Sequence, residues 1–181
     1  MSECGESAMN QSYIGTPNGV VVCVDSVSDF CFQGLVYHGY RKSGKQFGSA
    51  DELVFYMQDL FDRINFPYPG NTIRSFVAGN GKKNVSQKEN REAVRSNRMI
   101  KKGGPERIMT DKELLSKHGD IGTFIVRVQQ RQNSTWQGRI TWTEENQTLC
   151  FRSIWEMIHL IESAITSDEA KGVQIKLQEW E

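Results

Sequence analysis

Long apolar runs are missing from this sequence, in which no uninterrupted hydrophobic stretch exceeds a few residues. A membrane-spanning helix needs about 20 consecutive, predominantly apolar residues, so none is predicted. The N-terminal stretch MSECGESAMNQSY has neither a basic start nor an apolar segment, and it therefore does not resemble a secretory signal. We expect a cytoplasmic protein that does not contact a membrane.

Cysteine and histidine are scarce, with four and three residues respectively. No two cysteines form a C-x-x-C pair, and no histidine lies at metal-ligand spacing from a cysteine. Cys23 and Cys150 fall in apolar, strand-like stretches, where a free thiol behaves as a small hydrophobic side chain. We therefore expect reduced, structural cysteines and no metal site, which agrees with a cytoplasmic location.

Local catalytic motifs are also missing. The sequence contains no serine-nucleophile elbow, no HExxH helix, no phosphate-binding loop and no dinucleotide fingerprint. We predict a protein that is not an enzyme and that has no cofactor and no identifiable small-molecule ligand. A catalytic site assembled from residues distant in sequence stays open at this stage.

What the chain does contain is an internal repeat. When it is displaced by 104 residues, Phe32-Gln33-Gly34 falls on Trp136-Gln137-Gly138, and residues 20–61 align without a gap on 124–165. Seven identities occur in this alignment, and the hydrophobic pattern agrees at the positions expected to face the core. Such self-similarity predicts a supersecondary unit that is built twice.

Each repeat has strand-like segments followed by a helix. VVVCV (20–24) and FIVRV (124–128) are rich in β-branched and aromatic residues, as strands prefer. Two further strand-like segments follow in each repeat. A serine comes next, and after it apolar residues recur every three or four positions, which predicts an amphipathic helix. A glutamate three residues after that serine, as at Ser49/Glu52 and Ser153/Glu156, predicts a capping box.

These patterns predict an α+β fold of tandem duplicated β-β-β-α(-β) units, with antiparallel sheets that are each packed by one helix. The optional fourth strands would lie at 71–78 and 172–180. We predict a disordered N-terminal tail (1–18), a first unit (19–78), a basic flexible linker (79–118) and a second unit (119–181). One unit alone has only a modest core. The sequence leaves open whether the two units form one body or two domains.

The linker carries most of the charge asymmetry. Residues 79–107 contain nine basic and three acidic side chains, although the whole chain has no net charge. Such a segment is typical of solvated linkers, or it can neutralise phosphates of a nucleic acid in a salt-dependent manner. The candidate phosphate contacts, besides Arg107, are Lys82, Lys83, Lys88, Arg91, Arg95, Arg98, Lys101 and Lys102.

Strand alternation predicts two different outer sheet faces. In the second unit Arg127, Arg139 and Arg152 fall on the face away from the helix, with Arg131 beside them, and they could bind an anionic partner through bidentate contacts. In the first unit the same face is apolar, with Val21, Leu35 and Tyr37 as candidate interface residues. An apolar outer face normally packs against another surface.

Together these features favour a non-catalytic binding or regulatory protein that acts through protein–protein interaction, possibly as a homodimer. The alternative is binding of a nucleic acid or another anionic partner through the basic linker and the arginine face.

Overall fold

The computed structural model describes residues 14–28, 31–69, 105–132 and 135–178, with side chains in the last range as far as residue 166. These segments contain six strands and three helices. They are β1 (Val20–Ser28), β2 (Cys31–His38), β3 (Lys45–Phe47), α1 (Ala50–Ile64), α2 (Asp111–Leu115), β4 (Gly122–Gln130), β5 (Gln137–Trp142), β6 (Gln147–Phe151) and α3 (Ile154–Gln178).

The six strands form one antiparallel sheet in the order β3-β2-β1-β4-β5-β6. The first strands of the two halves, β1 and β4, pair with each other in the middle, where Val21 lies opposite Ile125. The predicted α+β class with antiparallel pairing is confirmed. The prediction of more than one sheet is wrong, because β1 and β4 each complete their backbone hydrogen bonding on the other.

The strand registers of the two halves correspond at an offset of 104 residues. Gly34 pairs with Phe47 in the first half, and Gly138 pairs with Phe151 in the second. The register shifts once between β1 and β2, after Val24, and once between β4 and β5, after Val128. Val21 and Ile125, which pair with each other at the centre, are themselves 104 residues apart.

Both long helices contribute to one core on the same side of the sheet. The predicted apolar stripes are buried in it, with Leu53 and Met57 from α1 and Met157 and Ile161 from α3. The ring of Phe61 meets Trp136 edge-on at 5.2 Å between ring centroids, which joins α1 of the first half to the second half. The strand residues in this core alternate along each strand, as the pleat requires.

The helix starts differ in part from the predicted capping boxes. In α3 the N–H of Glu156 donates to Ser153 Oγ at 3.0 Å, as predicted, but its carboxylate accepts from the N–H of Arg152 at 2.7 Å. In α1 the Ser49 side chain makes no cap hydrogen bond, and Glu52 accepts from the N–H of Gly48 at 2.8 Å. Both glutamates therefore bind the N–H one residue before the serine.

A second, smaller core lies on the opposite side of the sheet. Val21, Cys23 and Ile125 point into it, and they are covered by Ile14 and by Leu114 of α2. Helix α2 begins at a complete capping box between Thr110 and Glu113. Part of the predicted tail and part of the predicted linker are therefore buried, namely Ile14, Asn18, Met109 and Leu114.

The predicted fourth strand of the second unit is wrong over 172–178, because α3 continues to Gln178. A glycine inside a helix lowers helix stability by only about 1 kcal/mol relative to alanine. This cost does not end a helix that has already formed several turns. The corresponding prediction for 71–78 lies outside the described residues.

Candidate functional site

The apolar outer face predicted as a protein interface is covered by the chain itself. Val21 is fully buried, and Leu35 and Tyr37 are partly buried against the core that contains Ile14 and Leu114. Val21 therefore offers no surface to another protein. An intramolecular cover satisfies the requirement that an apolar face pack against something.

The arginine face brings together two of the four predicted residues. Arg127 of β4 lies directly opposite Arg139 of β5, and both side chains are half-buried. Arg152 lies just beyond β6, where its guanidinium reaches the Glu156 carboxylate at 3.3 Å and its side chain is 87% exposed. An exposed pair of this kind contributes little to stability.

Arg131, a predicted anion-binding residue, lies between the end of β4 and the end of α1. Its guanidinium is buried, and it donates to Asp62 Oδ1 at 2.8 Å and to the carbonyl oxygens of Pro67 and Phe61 at 2.8 and 3.3 Å. Burial lowers the pKa of Arg131, while the Asp62 carboxylate opposes that shift. This side chain ties the end of β4 to the end of α1.

Most of the predicted basic segment lies outside the described residues. This applies to Lys82, Lys83, Lys88, Arg91, Arg95, Arg98, Lys101 and Lys102. Arg107 is described, and it forms an ion pair with Asp111 at the start of α2.

A histidine–tyrosine pair lies between the first-half sheet and α1, with His38 buried and Tyr56 partly buried. The N–H of Tyr40 donates to His38 Nδ1 at 3.1 Å, so the proton of the neutral ring lies on Nε2, which donates to Tyr56 Oη at 2.8 Å. Burial, assisted by the positive charges of Arg41 and Arg63, lowers the pKa of His38 to about 4. His38 is therefore neutral near pH 7, and its interactions serve packing.

The described cysteines are not all reduced. Cys23 and Cys31 are free, whereas Cys150 in β6 is disulfide-bonded. Burial, followed by the nearby carboxylates Asp25 and Glu144, raises the pKa of Cys23 to about 12, so its thiol is not nucleophilic. The disulfide corrects the prediction of four reduced thiols.

Two aromatic side chains project into solvent from the helices. Phe55 on α1 is 71% exposed and Trp155 on the first turn of α3 is 75% exposed. We call these two residues the aromatic helix face. Sequence reasoning missed this face, but the signal was present, because Trp155 lies off the apolar stripe that begins at Met157.

A cavity of about 180 Å³ lies between the second half of the sheet and α3. Its floor is apolar and buried, and exposed residues of β6 and α3 form its rim. The lining residues are Phe124, Ile140, Trp142, Gln147, Leu149, Leu160, Ser163 and Ala164. Sequence reasoning missed this cavity too, because it depends on how far α3 stands from β5 and β6.

The part of the chain that the structure describes contains no group of three or more histidine, cysteine or carboxylate side chains placed to hold a metal ion. Within the same ranges, no helix has the length and apolar character needed to cross a membrane.

The residues that the structure describes form an α+β fold with a six-stranded antiparallel sheet, two long helices on one face and a short helix on the other. No family model matches the sequence, and comparisons with curated proteins and with solved structures find no significant similarity.

Proposed function

We propose that this chain is a non-catalytic binding protein that acts through protein–protein contacts of its aromatic helix face, and that a second copy of the chain is one such partner. The exposure of Trp155 carries this proposal. Tryptophan is among the residues most enriched at interface hot spots, because burial of its large ring contributes more than almost any other side chain. Phe55 supplies a second exposed ring on the other long helix.

The arrangement of the two halves supports this role. The equal registers, the equally placed register shifts and the central β1–β4 pairing support the proposal that the chain is a tandem duplication of one β-β-β-α unit. In such a body both helices lie on one face of the sheet, so one partner can contact both. The opposite face is already occupied by the chain's own segments.

Trp155→Glu tests the proposed contact. We expect the wild type to sediment at twice the chain mass of 20.7 kDa, and the variant to sediment at the mass of one chain, because a carboxylate in a desolvated contact is strongly unfavourable. Sedimentation equilibrium over a range of concentrations measures this. Gln129→Glu is the matched control, since it adds the same charge at an exposed position of the sheet.

Two results would contradict self-association through this face. One is a wild type that stays monomeric at the highest attainable concentration. The other is a dimer that both variants leave intact. Circular dichroism of Trp155→Glu must match the wild type, so that loss of mass reports the contact and not unfolding.

A second candidate function is the binding of an anionic partner, and the direct opposition of Arg127 and Arg139 favours it. Two guanidinium groups on adjacent strands can engage a phosphate through several charge-assisted hydrogen bonds. The predicted basic segment 79–107 would add phosphate contacts in the same chain.

Salt dependence tests this candidate. We expect single- or double-stranded DNA to bind at low salt and to lose affinity by at least about tenfold between roughly 50 and 200 mM salt, because counterion release drives such binding. Fluorescence anisotropy measures the affinity. Arg127→Gln with Arg139→Gln should weaken binding, whereas Arg63→Gln, at an exposed pair with Asp59, should not. Absence of binding at low salt would eliminate the candidate.

A further inference from the structure

Two residues that line the cavity beneath α3 correspond in the sequence to a hydrogen-bonded pair in the first half. At the offset of 104 residues, Trp142 corresponds to His38 and Leu160 corresponds to Tyr56. In the first half the Tyr56 hydroxyl accepts a hydrogen bond from His38, and both side chains pack against the core. In the second half, Leu160 is shorter than tyrosine and has no hydroxyl. Both Leu160 and Trp142 line the cavity.

Trp142 is left with an unused hydrogen-bond donor. Its ring stacks on Phe124 at 6.4 Å between centroids, and its Nε1 is buried without an acceptor among the described residues. Buried donors without partners are rare in folded proteins, because each costs the desolvation of its N–H group. In the first half, the corresponding ring is that of His38, and its N–H donates to the phenol oxygen of Tyr56.

The size and lining of the cavity limit what it can hold. An apolar cavity of about 150 Å³ binds benzene, so a cavity of about 180 Å³ accommodates a single substituted ring. Phe124, Ile140 and Ala164 provide an apolar, buried floor. Leu149 at the rim is 45% exposed, which leaves an entrance from solvent.

We propose that this cavity is a binding site for a small monocyclic aromatic molecule of the phenol type. Its ring lies against Phe124, Ile140 and Leu160. A small rotation of the Trp142 indole brings the buried Nε1 to the cavity, where it donates a hydrogen bond to the oxygen of the ligand. The ligand supplies the phenol that Tyr56 supplies in the first half. The site is separate from the aromatic helix face, because neither Phe55 nor Trp155 lines it.

Binding of p-cresol, the tyrosine side-chain analogue, tests the site. In two-dimensional ¹H–¹⁵N spectra we expect p-cresol to shift the indole N–H resonance of Trp142, assigned by its loss in Trp142→Phe. Toluene, which lacks the oxygen, should bind about tenfold more weakly, because a hydrogen bond to a buried donor contributes up to about that factor. Trp155→Glu should bind p-cresol as the wild type does, which separates this test from that of the proposed function.

Leu160→Tyr should abolish p-cresol binding, because it places in the cavity the side chain that fills the first half. His159→Tyr is the matched control, since it adds the same residue at the exposed neighbouring position and should leave binding intact. The proposal is overturned if p-cresol leaves the Trp142 resonance unmoved up to its solubility limit. It is also overturned if Leu160→Tyr folds and binds p-cresol as tightly as the wild type, or if toluene binds as tightly as p-cresol.

Discussion

Replacement of Gly138 with alanine is expected to lower the free energy of unfolding by about 3 kcal/mol or more, or to prevent folding. A Cβ atom at this position would lie far inside van der Waals contact with the carbonyl oxygen of Arg127, and 2.8 Å from the ring of Phe151. The obstruction is backbone in a paired strand, so it cannot rotate away. Because small domains are stable by only about 5–15 kcal/mol, this loss is a large share of the total.

Alanine substitutions at Gly34 and Gly48 test whether the clash of the added Cβ atom causes the loss of stability. A Cβ at Gly34 would meet the carbonyl oxygen of Cys23, so Gly34→Ala should be equally damaging. A Cβ at Gly48 would come no closer than 3.7 Å to Glu52, so Gly48→Ala should be nearly neutral. Urea unfolding followed by circular dichroism gives the three stabilities. A Gly138→Ala protein as stable as Gly48→Ala would refute the steric argument.

Replacement of Arg131 with methionine is expected to cost about 2 kcal/mol, because it leaves two buried carbonyl oxygens without their donor, whereas the carboxylate of its ion-pair partner Asp62 is 42% exposed and can be solvated. Asp62 loses its cation, and the carbonyl oxygens of Phe61 and Pro67 lose their donors. The methionine keeps much of the apolar contact of the arginine stem, so the loss reports mainly the polar groups.

The matched control is Arg63→Met, because Arg63 also pairs with an aspartate of α1, Asp59, at 2.8 Å, but both side chains are more than half exposed. Its expected cost is about 0.5 kcal/mol or less. Equal stabilities of the two variants in urea would show that Arg131 does not hold the end of α1 to β4.

Much of the fold could be predicted from local sequence. The strand-like segments at 20–24 and 124–128 and the apolar stripes of α1 and α3 follow from side-chain alternation and helical periodicity, which are properties of neighbouring residues. Both copies of the repeated Gln-Gly pair occur next to a shift in strand register, so the same short sequence accompanies the same local irregularity. The predicted fourth strand failed because the segment 172–178 combines extended-favouring residues with a helix already in progress.

The candidate site was less predictable. Val21 is an outward-facing valine in the sequence pattern, and nothing local says that Ile14 and Leu114 cover it. Arg131 follows Arg127 in the sequence, but the chain beyond the β4 register shift directs it toward α1 and not toward the arginine face.

The sequence alone determined the strand-like segments 20–24 and 124–128 and the apolar stripes of α1 and α3. Only the tertiary structure decided that β1 pairs with β4 to make one sheet, which segments cover its outer face, and where a cavity stays open. Periodicity and propensity act between residues a few positions apart, whereas these outcomes depend on contacts between residues about 100 positions apart, which no local pattern encodes.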